Sequence, residues 1–64
     1  MESDSEYFER RAAQETAAAD NAPDAQARAA HLEMAERYRD VAVSIEKNER
    51  RLGVVRALRR LFHR

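Results

Sequence analysis

Sixty-four residues with twelve acids, twelve Lys/Arg and no cysteine make at most one domain, neutral overall and without disulfides or thiolate zinc sites. A chain this short hides only about 60% of its unfolded surface, so its own core is marginal and a partner chain is the natural staple. A single glycine (Gly53), a single proline (Pro23) and abundant Ala, Glu and Arg leave little turn chemistry and favour helix nearly everywhere.

Charge is unevenly placed. Residues 1–24 sum to −5, residues 25–49 to −1 and residues 50–64 to +6. Such asymmetry bears on association rather than on fold. The opening MESDSEYFERR is acidic and has no apolar core of a secretory signal, and no run of about 18 apolar residues occurs. The expected location is therefore the cytoplasm, with the inner membrane face as a peripheral alternative.

The first helix is predicted to begin at Ser3, which forms a capping box with Glu6. Asp4, Glu6 and Glu9 then sit near the positive end of the helix dipole. The apolar face starts with Tyr7 and Phe8 and narrows through Ala12, Ala18, Ala19 and Ala22, a surface suited to close helix packing. The break lies at AADNAPDAQ. Asn21 suits a left-handed C-terminal position, Pro23 suits a first helical turn, and Asp24 is favourable at a helix start. A connection this short implies an antiparallel hairpin. The competing reading is one long helix kinked at Pro23.

The second helix carries a heptad seam: Met34, Val41, Asn48 and Val55 in one register, His31, Tyr38, Ile45 and Leu52 in the other. Ala30, Leu32, Ala35 and Ala42 widen it. A first helix of roughly 18 residues spans about 27 Å, whereas residues 24–52 span about 43 Å. The far part of the seam thus lacks an intrachain lid, and that predicts a second chain. Gly53 is expected to end or bend the helix. Beyond it Val54, Val55, Leu58, Leu61 and Phe62 share an arc of roughly 120°, with Arg56, Arg59, Arg60, His63 and Arg64 opposite. Residues 1–52 are accordingly read as the hairpin and 53–64 as a basic amphipathic segment.

Catalytic chemistry has no footing here. Ser3, Ser5, Thr16 and Ser44 lack a histidine at helical spacing, and His31 has Ala27, Arg28, Met34 and Ala35 at its helical neighbours. One glycine cannot build a phosphate loop. No catalytic residue, metal or cofactor is expected. Tyr7, Phe8 and Tyr38 read as core or interface aromatics. His31 reads as a seam histidine bonding a carboxylate of the first helix, or as a pH-sensitive latch. Asn48 either sets register between two chains or marks where the seam opens to water.

EYFERRAAQE and ARAAHLEMAERYRD together resemble a group of short bacterial proteins. Their pattern runs Tyr-aromatic-x-x-Arg-Ala-x-x-Glu, an alanine-rich turn with proline, then Ala-Arg-x-Ala-His-x-x-x-Ala-x-x-Tyr. It falls here on Tyr7, Phe8, Arg11, Ala12 and Glu15, then Ala27, Arg28, Ala30, His31, Ala35 and Tyr38, with the paired Arg10 and Arg11 a departure. The resemblance spans residues 6–40, implies a small helical hairpin, and brings no reaction or ligand with it. It also implies a polar cluster of Arg28 and His31 beside Glu15.

The expectation is an all-α hairpin with a long second helix, dimerising as a bundle or coiled coil. It would act as a non-enzymatic protein–protein interaction module through Tyr7, Phe8, His31, Met34, Tyr38, Val41, Ile45, Asn48, Leu52 and Val55. The alternatives are a membrane-surface protein using residues 54–64 and a small DNA-binding regulator. Zero net charge and the lack of base-reading side chains in the tail weaken the last.

Overall fold

The computed structural model describes the backbone of residues 1–62 and the side chains of residues 1–61. It is all-helical: α1 spans Asp4–Asp20 and α2 spans Ala25–Phe62, packed against one another as a hairpin. Ser3 caps α1 in extended conformation, and its Oγ accepts the Glu6 N–H at 3.2 Å. The return half of the capping box differs from expectation. The Glu6 carboxylate takes the Ser3 hydroxyl at 3.0 Å instead of the Ser3 backbone N–H.

The turn also differs in detail. Asn21 ends α1 at φ −102°, not in the left-handed region. Its side-chain Nδ2 donates to Ala17 O at 3.0 Å, a carbonyl that also accepts the Asn21 backbone N–H at 3.3 Å, so the helix end is served without any positive φ. Pro23 lies before α2 rather than in its first turn, and Asp24 caps that helix by accepting the Ala27 N–H at 2.8 Å.

Small side chains line the seam between the helices. Ser5, Ala12 and Ala19 are buried on α1, and Ala35 and Ala42 on α2. Both sets repeat every seven residues, as in coiled-coil packing, and small groups let the two backbones approach closely. This corrects the expected register. The intrachain seam is Ala35 and Ala42 flanked by His31, Tyr38 and Ile45, while Met34 and Val41 stand outside it at 37% and 40% exposure. Close backbone approach along a helical line needs small side chains, and that line holds the alanines.

α1 is 17 residues long and α2 is 38, so α1 covers less than half of its partner. The Glu9 and Glu46 carboxyl groups meet near the limit of that cover. From Lys47 to Leu61 every side chain is exposed. The line of α2 that faces α1 continues as Glu46, Glu49, Gly53, Arg56 and Arg60 at about 100° per residue. Charge thus replaces alanine where the lid ends. Gly53 neither ends nor interrupts α2: its backbone is helical and nothing approaches a Cβ at that position within 4 Å.

The result is a flat rod with Cα extents of 62 × 22 × 9 Å. Its radius of gyration is 17.3 Å, against about 11 Å for a compact domain of this length. No helix among the described residues is long and apolar enough to cross a membrane.

Candidate interaction surface

Polar and aromatic groups border the alanine seam on one side. Glu15, on α1, lies half-buried with its Oε2 2.6 Å from His31 Nδ1 on α2 and its Oε1 4.0 Å from Arg11. Arg11 reaches on to α2, with its guanidinium 5.4 Å from the Tyr38 ring centre and its Nη2 3.5 Å from the Tyr38 hydroxyl. That contact favours the charged guanidinium and raises the Arg11 pKa. Arg28, expected beside Glu15, is exposed, and Arg11 holds that place.

The aromatics form a short stack across the helices. Phe8 lies 6.0 Å from Tyr38 in near-parallel arrangement, and Tyr7 meets Phe8 edge-on at 5.1 Å. Arg10 closes over Tyr7 at 5.2 Å and pairs with Glu2 at 2.9 Å, which lowers the Glu2 pKa.

Next to this border runs an apolar stripe. Met34, Val41, Ile45, Asn48, Leu52 and Val55 fall within an arc of about 80° on α2 at about 100° per residue. Its centre lies roughly 100° around the helix from the Ala35–Ala42 line, with Tyr38 and Ile45 bridging the two. Leu52 and Val55 are 55% and 44% exposed. Single exposed apolar side chains are ordinary, but a stripe running most of the length of a helix is not.

The opposite border is more open. An open groove of about 320 Å³ runs between Glu9, Ala12, Ala13, Arg39, Ala42 and Val43. Arg39 crosses the groove side to reach the Thr16 hydroxyl at 3.0 Å. Facing Glu46 carboxylate to carboxylate raises the Glu9 pKa. Sequence reasoning missed the Arg39–Thr16 and Glu9–Glu46 contacts. The seven-residue repeat of Ser5, Ala12 and Ala19 against Ala35 and Ala42 is the signal that fixes the pairing from which both follow.

The C-terminal segment keeps its two-sided character, but its orientation differs from a simple continuation of the seam. Because α2 runs unbroken through Gly53, the arc of Val54, Val55, Leu58 and Leu61 is centred roughly 150° from the α1-facing line. Arg56 and Arg60 take the α1 side. The Phe62 side chain, His63 and Arg64 lie outside the described residues. Among the described residues, no group of three or more His, Cys, Asp or Glu is placed to hold a metal ion. Comparison with protein-family models, curated proteins and solved structures finds no match.

Proposed function

We propose that the protein is a non-enzymatic interaction module whose working surface is the apolar stripe of α2 with its aromatic border. One observation carries the reading: Met34, Val41, Leu52 and Val55 are exposed along a helix that outruns its only lid. The exposed surface supports it. The chain exposes 5537 Å², whereas a compact protein of 7.4 kDa exposes about 4,200 Å². The excess, about 1,300 Å², exceeds the roughly 800 Å² that each partner contributes to a standard interface.

Light scattering across a concentration series tests this, with Leu52→Asp as the variant. Leu52 is exposed, in the stretch of α2 where every side chain is, so the hairpin stays folded by circular dichroism while association is lost. A wild-type chain that remains monomeric at millimolar concentration overturns self-association as its mode of action.

A second reading rests on the arc of Val54, Leu58 and Leu61, which points away from α1 with arginines behind it. Such a segment suits an anionic lipid surface. It requires co-sedimentation with anionic vesicles that weakens with salt and with Leu58→Ser.

A further inference from the structure

We infer that the occupant of the stripe is a second copy of this chain, with its α2 lying antiparallel along the first. The inference rests on the interaction-module reading and adds the partner, its direction and its register. Charge sets the direction. Parallel pairing would bring two +6 segments side by side, whereas antiparallel pairing lays each beside the turn of the other hairpin, where Asp20 and Asp24 lie. The receiving end is suited to it. α1 has no base in its last turn and ends on Asp20, and Asp24 follows in the connection. None of the ion pairs among the described residues engages Asp20 or Asp24, nor Arg51, Arg56, Arg59 or Arg60.

The side chains of the stripe set the register. In antiparallel pairing the two heptad positions alternate across the interface. With the two-fold axis beside Val43, Met34 meets the partner's Leu52 and Val41 meets the partner's Ile45. Asn48 meets the partner's Tyr38, a layer in which amide and phenol can hydrogen-bond. The two helices then end level, with Ala25 opposite the partner's Leu61. The partner's Arg59 falls on Ala27, a residue small enough to let the guanidinium reach towards Asp24. Shifting the pairing by one heptad instead sets the partner's Arg59 against Met34, which buries a charge on an apolar side chain. On α2 the partner helix sits roughly 100° from α1, so both fit around it as neighbours in a four-helix bundle.

The chain has no cysteine, so Ala57→Cys supplies a unique, exposed thiol for a nitroxide label. In the antiparallel register the two labels lie about 42 Å apart along the axis, at about 1.5 Å per residue. A parallel dimer puts the two labels level with each other, separated only by the width of the helix pair and so well short of that distance, given interaxial distances of 8–10 Å. Light scattering accompanies the measurement. A dimer with the long distance supports the inference; a dimer with the short distance overturns it and leaves the interaction module standing. A monomer overturns the inference and, with it, self-association as the mode of action, and if that monomer sediments with anionic vesicles the lipid reading takes their place. Asp20→Arg is the second variant. It suits the negative end of the α1 dipole, so the hairpin holds, while dimer affinity falls about two- to five-fold at low salt. Unchanged affinity at low salt overturns the placement of the tail.

Discussion

Substituting Ala35 by Leu reverses what hydrophobicity alone suggests. Ala35 is 0% exposed and, like Ala12 on α1, is buried in the seam between the helices. The contacts of Glu15 with His31 and of Phe8 with Tyr38 bracket the point on both sides. An isobutyl group in place of the methyl has no space there, and the helices must move apart or the side chain leave its rotamer. Such overpacking costs about 1–3 kcal/mol. For a domain of this size that corresponds to about 4–8 °C per kcal/mol, hence a fall in Tm of roughly 8–16 °C for 2 kcal/mol. Ala29→Leu is the control: the same substitution on the same helix, at an exposed position. It is expected to change stability by less than about 0.5 kcal/mol. Thermal melts followed by circular dichroism at one fixed concentration measure both. A neutral or stabilising Ala35→Leu would refute the assignment of the seam to Ala35 and Ala42.

Gly53→Ala should stabilise the projecting part of α2 by about 1 kcal/mol, because Gly53 is helical and nothing occupies the space a methyl would take; slower amide exchange over residues 50–57 reads this out. Glu9→Gln tests the facing carboxylates. Its partner Glu46 raises the Glu9 pKa in the folded chain, so the protonated form is favoured by folding, and the associated stability is present at low pH and lost as pH rises through the raised value. The variant should therefore raise the urea midpoint at pH 7 and show no gain below about pH 3, where Glu9 is protonated in both states. Asp24→Ala removes the acceptor for the Ala27 N–H and should cost about 1 kcal/mol in urea unfolding.

Much of the architecture was legible from single residues. Ser3 and Asp24 mark the helix starts because a short oxygen-bearing side chain serves an N–H that the helix leaves open. A turn of polar residues around one proline separates two stretches with no other break, so two helices and a short connection follow. The unequal helix lengths, and with them an unlidded stretch of α2, follow from the same positions. The +6 segment and its two-sided pattern are also properties of the linear chain.

Which side of α2 faces α1 was not legible in the same way. The heptad pattern points to Met34 and Val41 because they are the larger apolar residues, whereas the packed line is Ala35 and Ala42. Periodicity identifies an apolar stripe, but two stripes about 100° apart on one helix serve two neighbours, and only the position of α1 tells them apart. The tail shows the same limit. A glycine permits an end, a bend or a straight helix, and its local sequence does not choose. With α2 unbroken through Gly53, the apolar arc of residues 54–61 turns away from α1 and the arginines Arg56 and Arg60 turn towards its side. Local sequence therefore determined where α1 begins and that a short turn separates it from a second helix, since caps and propensities act within a few residues. The tertiary structure decided which faces meet, because backbone approach depends on the smallest side chains and not on the most hydrophobic ones.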